Sequence, residues 1–402
     1  MTNPFPLLDL PTAAILHVVK SMDYGEFLNL SFLSKRAKKS IELMNLKSEE
    51  LTVYIGDFVH MNMSIGTKRM EWKFYYCLKG NIIDGEDLLE ESFENEEMDL
   101  ENENELEEEE DEEIDYIEED QDIKDIDEEL EEFQDEQEVY ELEAEEFALP
   151  DSVELLISDG VSSRAVWYME SLTMKDWIQH FMTIFHFSEI QHLDFTRNSS
   201  IFSIEEIKDS MIAINKLSVS SDTGFDVDYL LSNFHSKYLH LGLGVFETLK
   251  KPENVMIRNY DMLRIYLNRD HPSTITLDDL LFFNSKTIKV CEANWTAKSF
   301  NRFIKHWIKG SNPRMEMLNL LDFSEKEFID TEILKGVRFM EIPADQTRWF
   351  RNQDGQLVAF EGGKDFYRQD GAKATIYNFG SYENFRCIAM CVWHPHCVVD
   401  PR

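Results

Sequence analysis

The sequence predicts a fold of mixed α+β and α/β character. It has a small helical module at the N-terminus, an α/β domain with a β-rich C-terminal piece, and a disordered acidic insert. Three observations lead there. Apolar residues in the first fifty positions recur at helical spacing. From about Val153 onward, short strand signatures alternate with capped amphipathic helices. Between them, Asp84 to Glu146 holds 37 acidic residues and one basic residue, Lys124, so this stretch carries −36 of the chain's net −40. The other 339 positions hold 38 basic and 42 acidic residues. A nearly neutral globular chain, long enough for a real core, is interrupted by a polyanion. That balance argues against nucleic-acid binding driven by bulk charge.

No apolar run approaches the ~20 residues of a membrane span. The N-terminal stretch Met1-Thr-Asn-Pro-Phe5 lacks the basic segment of a signal peptide. Five cysteines, an odd number in a long chain, argue against a disulfide framework. The expected compartment is a reducing one, cytoplasm and/or nucleus.

Residues 4–50 read as three short helices. Pro11 suits a first turn, followed by Ile15, Leu16, Val18, Val19 and Met22 at helical spacing. Asp23-Tyr-Gly-Glu26 is an acidic analogue of the capping box, and Ser34 caps a third helix. So thin a module has to be completed by a partner or by docking on the rest of the chain. Leu8-Asp-Leu10-Pro11, Ile15, Leu28 and Leu30-Ser31-Phe-Leu33-Ser34-Lys-Arg36 resemble an F-box. The resemblance implies binding to the Skp-type adaptor, and through it to a cullin, and assigns Leu8, Leu10, Pro11, Ile15, Leu28, Leu30 and Leu33 to adaptor packing.

Residues 51–83 read as a short β-rich connector, with strand-like runs Leu51 to Ile55 and Met70 to Leu78. Residues 84–146 follow as the insert. Like charges at i,i+4 oppose a helix, and few large apolar groups are available for burial. Such a tract either attracts basic proteins, histones among them, or solubilises the chain without a specific partner.

Residues 153–395 form the α/β domain. Its strands share an apolar-x-apolar signature: Leu193-Asp-Phe195, Leu217-Ser-Val219, Leu239-His-Leu241, Ile288-Lys-Val290 and Leu318-Asn-Leu320, with Ile265-Tyr-Leu267 filling the long gap. A strand and helix every 22–30 residues is a degenerate leucine-rich-repeat-like pattern. Alternation points the apolar pairs inward and Asp194, Ser218, His240, Lys289 and Asn319 outward, where they form a candidate substrate-binding row. The β-rich piece around Trp393 could instead cover that face. Phe303-Ile-Lys-His-Trp307-Ile-Lys-Gly310-Ser-Asn312-Pro313, Gly362-Gly-Lys-Asp-Phe-Tyr-Arg368-Gln-Asp370-Gly371-Ala-Lys-Ala374-Thr375 and Val392-Trp393 resemble the F-box-associated domain (type 2) of nematode F-box proteins. That resemblance implies a protein-interaction region.

No phosphate loop, nucleophile elbow, His-Glu-x-x-His or dinucleotide fingerprint is present. Cys387, Cys391, His394, His396 and Cys397 do not match a common zinc spacing. No catalytic residue, metal or cofactor is assigned. The expected function is a non-enzymatic substrate adaptor of an SCF-type ubiquitin ligase. The alternatives are an F-box interaction protein without a degradative role, or an acidic binder of basic proteins such as histones.

Overall fold

The computed structural model describes residues 7, 10–48, 50–66, 68–76, 149–158, 163–168, 172–267, 275–291, 296–322, 330–353, 355–382 and 385–399. The N-terminal module consists of α1 (Thr12–Val19), α2 (Tyr24–Leu33) and α3 (Lys35–Glu42). Each start has a local cause. Pro11 precedes α1 with its φ near −55°. Asp23 Oδ1 accepts from Glu26 N at 2.7 Å, and Glu26 Oε2 accepts from Asp23 N at 3.1 Å, a reciprocal cap on α2. Ser34 Oγ accepts from Ala37 N at 3.1 Å at the head of α3.

The strands of the described residues form one continuous sheet of sixteen. In chain order they are β1 (Leu51–Ile55), β2 (Val59–Ile65), β3 (Lys68–Tyr75), β4 (Ser152–Ser158), β5 (Ser163–Trp167), β6 (Ile190–Phe195), β7 (Ile214–Val219), β8 (Tyr238–Leu241), β9 (Met262–Tyr266), β10 (Thr287–Cys291), β11 (Met317–Asp322), β12 (Met340–Arg351), β13 (Leu357–Tyr367), β14 (Lys373–Tyr382), β15 (Phe385–Val392) and β16 (Val398–Val399). Their order across the sheet is 16-12-13-14-15-11-10-9-8-7-6-1-2-3-4-5.

The middle, β1 with β6 to β11, is parallel; both flanks are antiparallel. Parallel neighbours need a crossover. Here α5 (Ile204–Ser210), α6 (Val227–Asn233), α7 (Val245–Thr248), α8 (Glu253–Met256), α9 (Leu277–Phe282) and α10 (Ala297–Ile308) lie between successive strands, preceded by α4 (Met174–Phe185) and followed by α11 (Asp330–Ile333). The result is a helical N-terminus followed by a mixed α/β, sheet-rich domain.

The apolar pairs of β6, β7, β8, β9, β10 and β11 stand in strict register, each no more than 5% exposed. On β9 the pair is Leu263 and Ile265, not Ile265 and Leu267 as the spacing suggested. Leu263, Ile265 and Leu267 share one parity and are all buried, so sequence alone could not choose between them. The ladder settles it by pairing Leu239 with Leu263 and His240 with Arg264.

Residues 51–75, expected as a connector, belong to the sheet itself: β1 lies parallel to β6, and β2 and β3 extend it. One core of buried side chains runs from Ile15 in α1 to Val392 in β15. The chain divides into two units, 1–76 with 144–402, and 77–143. The acidic insert expected at 84–146 lies outside the described residues.

The flanks of that insert are adjacent strands. Tyr75 pairs with Ser152, and Asp151 N donates to Tyr75 O at 2.9 Å. Replacing residues 77–148 by a short turn should therefore preserve the β3–β4 ladder. Thermal unfolding of that variant is expected to stay cooperative, with a midpoint within about 3 °C of the full chain. Loss of cooperative unfolding would contradict this reading.

Candidate protein-interaction surfaces

The first surface belongs to the helical module. Leu10 is half-buried, Pro11 is exposed and Leu33 is 73% exposed. Ile15, Leu28 and Leu30 are only 1%, 0% and 7% exposed. These three, also assigned to adaptor packing, are buried in the chain's main core. Leu8 lies outside the described residues.

The module is completed by the rest of the chain. The Phe32 ring stacks on His180 at 4.1 Å and meets the edge of Trp177 at 4.7 Å, both on α4. Ser31 Oγ donates to Leu28 O at 2.6 Å and lies 2.7 Å from His180 Nε2. With its one proton committed to Leu28, Ser31 accepts from a protonated Nε2, which fixes the tautomer. Trp167 Nε1 on β5 donates to Asn29 Oδ1 on α2. His186, just past α4, bonds the Glu42 carbonyl at 3.0 Å.

The second surface is the open face of the sheet. The outward residues form one ladder across eleven strands: Glu154, Lys73, His60, Tyr54, Asp194, Ser218, His240, Arg264, Lys289, Asn319 and Ala389. All five residues of the predicted row lie in it. Arg264 also belongs there but was missed, because the β9 pair had been placed two residues late. Its guanidinium lies over the Tyr266 ring at 4.6 Å. Tyr54 stacks on His60 at 4.3 Å.

The row is partly unsatisfied. His60 Nδ1, His240 Nε2 and Arg264 Nε are buried with no hydrogen-bond partner among the described residues. Desolvation, reinforced by Lys216 and Arg264, pushes His240 down to about 3. Burial, aided by Lys73, lowers His60 to about 4. Burial raises the Asp194 carboxyl.

One cluster on this face looks catalytic by composition. His192 Nε2 lies 2.7 Å from Ser218 Oγ and 3.9 Å from Asp194 Oδ2. A Ser-His-Asp triad needs the carboxylate on the opposite ring nitrogen. Here both partners share Nε2, and burial holds His192 down to about 4, too weak a base for the task. The cluster orders the face.

The β-rich end covers part of the face. Phe350 on β12 and Trp393 after β15 are three strands apart in sheet order, roughly 14 Å if flat. Their rings are 5.6 Å apart, so the sheet curls over itself. Met317, Ala389, Cys391, Phe360 and Tyr377 fill the space between. Thr287 Oγ1 on β10 bonds Gln353 Oε1 at 2.7 Å, so the β12–β13 turn reaches over β10. Asn319 is held at this rim, its Nδ2 3.4 Å from Met317 Sδ.

The motif around Gly362 to Thr375 builds this curl. Arg348 Nη1 donates to both Asp365 oxygens at 2.9 Å, and its Nη2 donates to Tyr377 Oη at 2.9 Å. Thr375 Oγ1 donates to Asp365, and Trp393 Nε1 donates to Thr375 Oγ1 at 2.6 Å. At Gly363, φ is +105° and a Cβ would lie 2.6 Å from Thr375 Cγ2 and 3.0 Å from Ile376 O.

The buried histidines couple stability to pH. Unfolded, they bind protons below about 6.5; folded, His180 and His240 do so only near 3, His60 and His192 only near 4. Stability from these groups is complete above pH 6.5 and is lost as pH falls through that window. His180→Phe should flatten the fall in unfolding midpoint between pH 6.5 and 4, since Ser31 keeps its bond to Leu28. An unchanged slope would contradict the burial argument.

Two segments of the chain match known families. An F-box domain family matches residues 7–49, which hold α1, α2 and α3. An F-box associated family matches residues 251–320, from α8 through β9 and β10 into β11, the strands carrying Arg264, Lys289 and Asn319. F-box associated domain-containing protein sdz-33 of Caenorhabditis elegans is 26% identical over 181 residues, 42% of this chain and 53% of that protein. An uncharacterized protein of the same nematode is 24% identical over 86 residues, 21% of this chain and 20% of that protein. The chain thus spans about half the length of the first relative and a fifth of the second. No solved structure matches it. The chain therefore carries a segment similar to an F-box domain at residues 7–49 and one similar to an F-box associated domain at residues 251–320.

Proposed function

We propose that this protein is the substrate-recognition subunit of an SCF-type ubiquitin ligase, without catalytic residues of its own. The F-box binds a Skp-type adaptor, and through it a cullin. The open sheet face, which we read as the inner surface of a degenerate leucine-rich-repeat-like array, binds a protein substrate. The observation that carries this reading is the shared core. The F-box packs through Phe32, Ser31 and Asn29 onto α4 and β5, while the outward ladder belongs to the same sheet. A substrate on the ladder would be held in a fixed relation to the adaptor. Ubiquitin transfer then gains through proximity, which requires such a fixed geometry.

The ladder suits a protein partner. Asp194, Ser218, His240, Arg264, Lys289 and Asn319 mix acid, hydroxyl, base and amide, and their pattern has no phosphate-backbone character. Direct adaptor contacts fall to Leu10, Pro11 and Leu33. A second class of partner, basic proteins, is favoured by the −36 tract. Such attraction would fade with rising salt.

Pro11→Ala with Leu33→Asp should reduce adaptor co-purification roughly tenfold or more, as loss of interface anchors does. The unfolding midpoint should not change. Ile15→Ala should instead cost about 2–5 kcal/mol of stability, since it empties the core. Undiminished adaptor capture by the double variant would reject the F-box assignment. Replacing His240 and Lys289 by Glu should lower capture of non-ligase proteins while adaptor binding stays intact. Equal enrichment of the same proteins would remove the ladder from the substrate site.

A further inference from the structure

Glu316, His396 and Cys397 bring a carboxylate oxygen, an imidazole nitrogen and a thiol sulfur within 4.8 Å of one another. They come from two places eighty residues apart: the residue before β11, and the turn that follows β15. We propose that these three side chains bind a zinc ion that clasps the C-terminal turn to the edge of the parallel strands.

The donor set selects the metal. Thiolate and imidazole together suit zinc and disfavour magnesium or calcium, and a carboxylate is an ordinary third ligand. Tetrahedral bonds of about 2.0–2.3 Å place ligand atoms roughly 3.3–3.7 Å apart. His396 Nε2 and Glu316 Oε1 are 2.9 Å apart, so a metal needs them to separate by about half an ångström. The His396 side chain is 66% exposed and can yield, and its open side leaves room for a water as fourth ligand.

The two buried ligands are fixed in advance. Glu316 is 6% exposed; its N donates to Lys286 O at 2.7 Å, and its O accepts from Val392 N at 2.8 Å. Cys397 is fully buried; its N donates to His394 O at 2.9 Å, and its O accepts from Arg351 N at 2.8 Å. The third ligand is oriented by a neighbour. His394 bonds Met315 O at 3.2 Å and stacks on His396 with centroids 5.6 Å apart and planes at 8°. Burial and the neighbouring Glu316 carboxylate hold the Cys397 thiol above its ordinary range, and Lys286, whose field opposes them, is itself paired with Asp261 at 2.6 Å. Metal uptake would displace the thiol proton to solvent.

The test uses the full chain, stripped of metal and titrated with Co²⁺. Binding at this site gives a thiolate-to-cobalt charge-transfer band, which Co²⁺ held by acidic side chains does not. The expected result is one equivalent with that band, displaced by Zn²⁺. The band should be lost in Cys397→Ser and kept in Cys391→Ser. His396→Ala alters an exposed residue and leaves the core intact; it should weaken Co²⁺ affinity roughly tenfold or more. Zn²⁺ should also raise the unfolding midpoint of the wild-type chain but not of the Cys397→Ser variant. Absence of the band, its persistence in Cys397→Ser, or unchanged affinity in His396→Ala would overturn the proposal.

Discussion

Register is the constraint on which this structure depends. Two inward apolar residues on each of β6 to β11 stack across the parallel strands, Leu193 through Leu318 in one line and Phe195 through Leu320 in the next. Each buried side chain of this kind contributes about 1.5–3 kcal/mol relative to exposure. A one-residue slip in any strand would turn its pair to the open face and bury polar residues such as His240 or Lys289 instead. The same alternation that builds the core therefore aligns the outward residues. The row of outward residues is a by-product of core packing.

The F-box depends on that sheet in turn. Its three helices bury Ile15, Leu28 and Leu30 in the common core, and Phe32 and Ser31 reach across to α4. A module of about forty residues cannot bury enough surface to stand alone. Joining the common core solves that problem and removes the freedom of a linker. Antiparallel β2, β3, β4 and β5 provide the platform, which is why the 51–75 segment belongs to the sheet and is not a connector.

Much of this was legible in the sequence because it is local. Caps at Asp23 and Ser34, the apolar-x-apolar strands and the outward row all follow from spacing. What escaped was set by pairing between distant residues. Arg264 entered the row because Leu239 pairs with Leu263, and three buried residues of equal parity left that choice to the neighbours. Ile15, Leu28 and Leu30 carry the family spacing, but spacing cannot tell a residue that meets a partner from one that holds the helices together. Glu316 joined His396 and Cys397 through the antiparallel pairing of β11 with β15. The sequence groups His396 and Cys397 with Cys387, Cys391 and His394, but nothing in the spacing signals Glu316, eighty residues away.

The two ends of the open face differ in how they are covered. At the C-terminal end, Arg348 neutralises Asp365, Thr375 and Trp393 complete the network, and aromatic rings exclude water. A buried ion pair of this kind contributes little net stability, but removing one partner strands the other. It fixes the curl of the sheet. From His60 to Lys289 the face is not sealed in that way; His60, His240 and Arg264 keep buried polar atoms with no hydrogen-bond partner among the described residues, as does Arg348 at the closed end. Each such atom costs about 1–3 kcal/mol. The apolar ladder behind them outweighs that cost several times over, so the fold tolerates them. The closed end, where the Phe350 and Trp393 rings meet, fixes where the open face stops.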